Sequence, residues 1–179
     1  IPPDRTIYRE DHCLPPAHAA IFAADGRVEQ WRYWQPAFST RSIGQADAVE
    51  GIRSLLRQAV RRQMVADVPV GCFLSGGLDS TTLTARMSDL CGQQVKTYAA
   101  GFGDLINELP FAREAATAYG TDHHELQMEI DVAESLERMS IVYDEPFADS
   151  SNIPTWHLCR FACRDVKVVL SGDGADELF

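Results

Sequence analysis

Apolar and polar positions change period several times along the chain, and those changes divide it into elements. Residues 1–38 show no helical period. Two short strand-like runs, 19–24 and 28–34, flank Asp25-Gly26, the dipeptide of a tight hairpin. Residues 39–46 are polar and read as a linker. Over 47–64 the period becomes helical. Val49, Ile52, Leu56, Ala59 and Val60 share one side, and Arg53, Arg57, Arg61 and Arg62 fall mostly on the wet side. Pro69 opens a strand that breaks abruptly at Ser75-Gly76-Gly77. Residues 81–90 then form a helix burying Leu83, Met87 and Leu90, with Gly92 suited to its stop. A strand over 95–102 and a loop over 104–109 follow. Pro110 opens a helix that runs to Tyr119 and is closed by Gly120. After a strand at 122–128 comes a helix at 131–143, with Val132, Leu136, Met139 and Val142 as its apolar stripe. A further helix spans 153–164 and a last strand 166–170. This alternation predicts an α/β fold, a parallel sheet flanked by helices with right-handed crossovers, behind a short N-terminal β segment.

Composition narrows the class. The 179 residues are 45% hydrophobic and 23% charged, an ordinary globular balance. No apolar run approaches membrane-spanning length, and no signal peptide is expected. The net charge of -10 lies wholly in residues 91–179, which carry sixteen acidic and six basic side chains. That argues against a nucleic-acid surface and suits a partner delivered as a metal complex, although solvated helix faces account for most of the charges. The five cysteines match no disulfide framework, so a reduced, cytoplasmic setting is expected. Cys159 and Cys163, at i,i+4, read as a buried thiol pair in preference to half a zinc site. His123 and His124 are adjacent on a strand, point to opposite faces and read as structural.

Two stretches carry chemistry. Val70 to Ser80 reads as strand, glycine turn and helix start. Adjacent glycines allow unusual dihedrals and close approach of a ligand, and free N–H groups at a helix start bind anions. The expected anion is phosphate, but the GxxxxGK[ST] lysine is absent and Asp79 stands nearby. An acid beside phosphate calls for a bridging cation, and Mg²⁺ is the natural one. Val166 to Phe179 repeats the plan: an apolar strand, then Ser171-Gly172-Asp173-Gly174-Ala175-Asp176-Glu177. Two such turns at adjacent strand ends could face one nucleotide. Residues 144–152 form a third polar segment, suited either to reading a substrate or to capping and turns.

Ser75-Gly76-Gly77-Leu78-Asp79-Ser80 resembles the pyrophosphate loop of the adenine nucleotide alpha-hydrolase-like enzymes. With its flanks and the second motif, it is similar to the synthetase domain of glutamine-hydrolysing asparagine synthetases. The resemblance implies ATP contacts at Leu74, Ser75, Gly76, Gly77, Asp79, Ser80, Ala100, Ser171 and Gly172. It also implies Mg²⁺ on Asp79 and Asp176, and help from Asp173 in forming an acyl-adenylate. Ala100 reads equally well as an ordinary core residue. The family's acidic-Glu-Ser segment is reduced here to Asn107-Glu108-Leu109, and the 144–152 segment resembles one lying near the amino-acid side of the family's active site.

Leu14-Pro15-Pro16-Ala17-His18 and Arg32-Tyr33-Trp34-Gln35-Pro36 resemble the tail of the family's glutaminase domain, which usually has Gly where Ala17 stands. The expected organisation is a glutaminase remnant over 1–38, a linker over 39–46 and the first part of a synthetase domain over 47–179, so the chain reads as an inactive fragment. Glutaminase activity is not expected, because Cys13 has no free amine to serve as that domain's base. The implied reaction is ATP-dependent amidation of aspartate through β-aspartyl-AMP, with ammonia derived from glutamine and a homodimer as an open expectation for the full-length protein. The alternatives are a related amidoligase acting on another carboxylate and a nucleotide-binding module without catalysis.

Overall fold

A computed structural model describes residues 4–40, 42–102, 107–128, 131–143 and 149–176. The 104–106 part of the expected loop, the 144–148 part of the polar segment and the end of the second motif from Glu177 onward lie outside the described residues. The chain divides into two compact units, Ile1–Ile43 with Ser140–Ala148, and Gly44–Met139 with Asp149–Phe179.

The smaller unit holds an antiparallel hairpin of β1 (His18–Phe22) and β2 (Val28–Arg32), registered Phe22 to Val28 and His18 to Arg32. Its turn forms as its sequence dictates. Gly26 has φ 85°, and Asp25 accepts a hydrogen bond from the Arg27 N–H at 3.0 Å. Ala17, just before β1, has φ 58°, a conformation that costs a side chain and suits glycine.

The larger unit is built on a four-stranded parallel sheet in the order β5-β4-β3-β6. The strands are β3 (Val70–Phe73), β4 (Lys96–Phe102), β5 (Asp122–Met128) and β6 (Val168–Leu170). The helices are α1 (Gln45–Gln63), α2 (Leu78–Leu90), α3 (Leu109–Tyr119), α4 (Val132–Val142), whose residues from Ser140 onward are counted with the smaller unit, and α5 (Asn152–Ala162). The chain steps outward from β3 through β4 to β5, then returns to place β6 on the other side of β3. Strand order therefore reverses at β3, and the crevice beyond the carboxyl ends of β3 and β6 is where such sheets bind ligands.

Alternation along β3 sorts the core. Cys72 packs with Val60 of α1 and Met87 of α2, and Leu74 with Ala112, Ala115 and Ala116 of α3. Phe73 lies with Leu158, Phe161 and Ala162 of α5, around the fully buried Tyr98. Both faces of the central strand β3 are covered, which is why it reads as an apolar run with little alternation.

Three expectations need correction. The stripe on α4 is mostly in solvent: Met139 is buried, but Val132, Leu136 and Val142 are each more than half exposed. Of the stripe on α1, only Val60 is buried, with Leu56 half-buried beside it. Cys159 and Cys163 are exposed, because α5 turns Leu158, Phe161 and Ala162 to the sheet instead. Boundaries differ by a few residues. Val166 donates its N–H to Ala162 as a continuation of α5, so β6 starts at Val168. Helix α2 starts at Leu78, which places Asp79 and Ser80 in its first turn.

The polar end of the sheet lies away from the crevice. Thr97 is fully buried and its hydroxyl contacts Thr121 Oγ1 at 2.8 Å and His123 Nδ1 at 2.9 Å. Burial pushes the His123 imidazole below its ordinary pKa, with the Glu125 carboxylate pulling the other way. His123 Nε2 lies 3.4 Å from Glu125 Oε1 but is too poorly aligned to hydrogen-bond. Arg113 of α3 grips Glu125 with two hydrogen bonds of 3.0 and 2.6 Å and holds its carboxyl below the usual range. His124, on the opposite face, stacks on Tyr98 with centroids 5.3 Å apart. Both histidines are thus structural.

Candidate functional site: two serine-glycine turns on one cavity

A cavity of about 680 Å³ opens beyond the carboxyl ends of the strands. It is lined by Ser75, Gly77, Asp79 and Ser80 from the first motif and by Ser171, Gly172, Asp173 and Asp176 from the second. Leu74 and Ala100 line it as well. The two motifs are brought together because β3 and β6 pair directly, Cys72 opposite Leu170. They touch at Gly172, where a Cβ would sit 3.0 Å from the Ser80 nitrogen and 3.1 Å from the Asp79 Cβ.

Gly76 alone among the sequence-predicted residues does not line the cavity. Its φ is 83°, and a Cβ there would run into the Phe111 backbone carbon and approach the Ala112 nitrogen to 2.6 Å. The first glycine of the pair therefore serves the packing of the loop on α3, and the second, Gly77, faces the cavity.

Each turn is pinned by its own serine. The Gly77 N–H donates to Ser75 Oγ at 3.3 Å, and the Asp173 N–H donates to Ser171 Oγ at 3.3 Å. The first turn has a second pin: Ser80 Oγ accepts the Ser75 N–H at 3.2 Å and lies 2.9 Å from Ser75 Oγ. No side chain caps α2, and the N–H groups of Leu78, Asp79 and Ser80 have no carbonyl within the helix to reach. They supply the positive end of the helix dipole at the cavity wall.

The electrostatics of the lining are one-sided. Asp79, Glu108, Asp149, Asp173 and Asp176 all face the cavity, with no Lys, Arg, His or Cys among its described lining residues. Asp149 is held ionised by the Ser151 N–H, 2.8 Å away, which keeps its carboxyl below the usual range. Among the described residues no three acids, histidines or cysteines form a ready metal centre. The donor set nonetheless fits Mg²⁺: hard oxygen donors, Asp79 and Asp176, leave most positions for phosphate oxygens and water. An anion can enter so acidic a cavity only with cations, which is a second reason why the group fits.

Several lining residues carried no advance assignment. Glu108 and Asp149 lay in segments singled out for their polarity, so their composition was a usable signal. Phe73 closes the strand of the first motif and Tyr98 lies beside it on β4, whereas Thr155 and Leu158 reach the cavity because α5 folds back over the sheet, and nothing local in their sequence marks that. Cys72, directly before the first motif, is excluded as a nucleophile. It is fully buried, its sulfur accepts the Thr84 hydroxyl at 3.4 Å, and burial pushes its pKa up to about 11.

The family model for asparagine synthase matches residues 51–179. A putative glutamine-hydrolyzing asparagine synthetase 2 of Methanocaldococcus jannaschii is 36% identical, covering 100% of this chain and 35% of that protein. Asparagine synthetase 3 of Bacillus subtilis is 34% identical over 99% of this chain and 31% of its own length. Amidase chyE of Penicillium rubens is 28% identical over 98% of this chain and 29% of its own length. The chain thus spans about a third of the length of the curated relatives it matches. An NH3-dependent NAD synthetase from Campylobacter jejuni shares the fold, with TM-score 0.51 and 14% identity, covering 72% of this chain and 58% of that one. With the matched region spanning both loops and the whole parallel sheet, this chain belongs to the asparagine synthase family.

Proposed function

We propose that the protein makes asparagine from aspartate: ATP activates the side-chain carboxylate as β-aspartyl-AMP, and ammonia derived from glutamine displaces AMP. The observation that carries this reading is the meeting of two Ser-Gly turns, from β3 and β6, on one cavity with Asp79 and Asp176 on its wall. The carboxylate oxygen attacks the α-phosphorus and the bond to pyrophosphate breaks. Ammonia then attacks the acyl carbon, the bond to AMP breaks and a proton leaves the nitrogen.

In this reading the first turn and the N–H groups of α2 hold the pyrophosphate portion. Leu74 and Ala100 flank the base. Ser171 and Gly172 meet the nucleotide near the reacting phosphate, and Asp173 assists the adenylation. Asp79 and Asp176 would hold Mg²⁺, which when bound screens the phosphate charge that otherwise repels the incoming carboxylate. Residues 47–179 would be the first part of the synthetase domain and 1–38 the tail of a glutaminase domain. The five free thiols suit a reducing cytoplasm, and no helix of the described residues is long and apolar enough to cross a membrane.

The likeness to an amidase of Penicillium rubens supports a second reading, amidation of another carboxylate at the same nucleotide site. Exchange of labelled pyrophosphate into ATP by the full-length protein with Mg²⁺ separates the two. Exchange that requires L-aspartate is expected. Exchange driven by a different carboxylate would select the second reading, and none with any carboxylate, despite ATP binding, would reject both.

A further inference from the structure

Helix α3 is seated on the sheet by two anchors, and its contact with the first turn lies between them. Leu109, at the start of the helix, is buried in a notch over β4, where a Cβ on Gly101 would sit 2.7 Å from the Leu109 Cδ1. Arg113, four residues on, shares that side of the helix and reaches β5. There it grips Glu125 with both arms of its guanidinium, one bond of 3.0 Å to Oε1 and one of 2.6 Å to Oε2. The strand register sets Glu125 opposite Ala99 and Gln127 opposite Gly101, so both anchors stand on the face of the sheet that α3 covers. Between them, the peptide joining Phe111 to Ala112 lies against Gly76 of the first turn.

The two anchors differ in kind. Leu109 is apolar and dry, whereas the Arg113 side chain is 62% exposed and that of Glu125 25%. An exposed ion pair adds little to global stability, but a planar fork on a carboxylate fixes direction as well as distance. The inner face of α3 needs such a fixture. Ala112, Ala115 and Ala116 let the helix lie close on Leu74 and Ala99, yet side chains so small interlock little with their neighbours. Leu109 alone would leave α3 free to pivot about the notch, and a pivot there moves the peptide that presses Gly76. Arg113 removes that freedom. A second pair on the same strand gives the contrast: Lys96 bonds Asp122 at 3.0 Å, is also partly exposed, and joins two strands that their own ladder already holds together.

We infer that Arg113 and Glu125 are positioning residues for the first turn: their forked ion pair fixes the seat of α3, and through the contact at Gly76 the seated helix holds the loop in shape for its anion. Neither residue lines the cavity, so they act only through the helix. The inference rests on reading this loop as the nucleotide site, and its test includes a readout that needs no nucleotide. In the full-length protein, Arg113→Ala, Glu125→Gln, the double variant and Lys96→Ala are compared. Hydrogen exchange of the 75–82 amides is measured without nucleotide, and ATP affinity and the saturated rate of pyrophosphate exchange are measured with Mg²⁺. Arg113→Ala and Glu125→Gln should each speed amide exchange in the empty loop. Each should weaken ATP binding about two- to fivefold, the range that an exposed pair can transmit, and leave the saturated rate within about twofold. The double variant should be no worse than either single one, because each alone undoes the fork. Lys96→Ala should shift the denaturation midpoint as much as Arg113→Ala does and leave both the loop and ATP affinity unchanged. Unaltered exchange in the empty loop of Arg113→Ala, losses that multiply in the double variant, or equal losses in Lys96→Ala would each overturn the inference. Failure of the nucleotide reading shows separately, as absence of ATP binding in the wild type, and exchange in the empty loop still decides whether the pair positions it.

Discussion

The two Ser-Gly turns start from the same plan and end in different states. Each follows a parallel strand, and each has a serine that accepts the N–H two residues ahead at 3.3 Å. The first continues into the 13-residue α2, is pressed by α3 at Gly76 and is tied internally by Ser80. The second, past Gly174 at φ 87°, offers Ser171, Asp173 and Asp176 exposed at the cavity wall. A repeated sequence device thus yields one turn fixed by its surroundings and one whose polar groups remain open to a ligand. The difference comes from the tertiary neighbours at Gly76 and from the Ser80 hydroxyl, which has no counterpart among the described residues of the second turn.

The largest effects fall on chemistry. Asp79→Asn and Asp176→Asn are each expected to abolish pyrophosphate exchange in the full-length protein while leaving its thermal unfolding unchanged. Normal turnover by either variant would remove that residue from the metal assignment.

Next comes the fixed turn. Gly76→Ala puts a side chain at positive φ and into the backbone of α3, so a loss of about 4 kcal/mol in chemical denaturation is expected. A variant as stable as wild type would mean that the first turn is not clamped. Gly172→Ala tests the contact between the turns. Its Cβ must push the Ser80 nitrogen away from 3.0 Å, for about 1–3 kcal/mol and a weaker grip on ATP. Calorimetry showing an unaltered ATP affinity would separate the two turns functionally.

Away from the cavity, the effect is smaller and depends on pH. His123 has a folded pKa below the ordinary value of about 6.5, chiefly through burial. The unfolded chain therefore binds more protons just below that value. The stabilisation is complete above about pH 6.5 and is lost as the pH falls toward the folded pKa. Denaturation midpoints followed from pH 7.5 down to 5 should fall less steeply in His123→Gln than in wild type, and equal slopes would contradict the assignment. The smallest effect is expected from Ala17→Gly, which relieves the φ of 58° before the hairpin and gains about 1 kcal/mol at most. A loss of stability would show that the side chain contributes more than its strain.

Legibility in the sequence followed how local the cause was. The strand 122–128 and the closure of α3 at Gly120, with φ 63°, were readable because one residue's conformation or one period decides them. The pairing of β3 with β6 was foreseen only as a possibility, since strand order depends on crossovers that no local pattern encodes. The α4 stripe misled because a helical period reports a face without saying what covers it. Within the site, Gly76 and Gly77 look equivalent in sequence. Only the approach of Phe111 and Ala112 shows that one serves packing and the other the cavity. Leu158 was beyond reach for the same reason, being brought in from the far face of the sheet.

The claim underlying all of this is that one nucleotide spans both turns. Equilibrium binding of ATP with Mg²⁺ to the full-length protein, with pyrophosphate as competitor, tests it most directly. One ATP per chain should bind, pyrophosphate should displace it, and Asp79→Asn in the first turn and Asp176→Asn in the second should each weaken it. ATP affinity untouched by the second-turn variant would contradict the claim and leave the first turn as the whole of the nucleotide site.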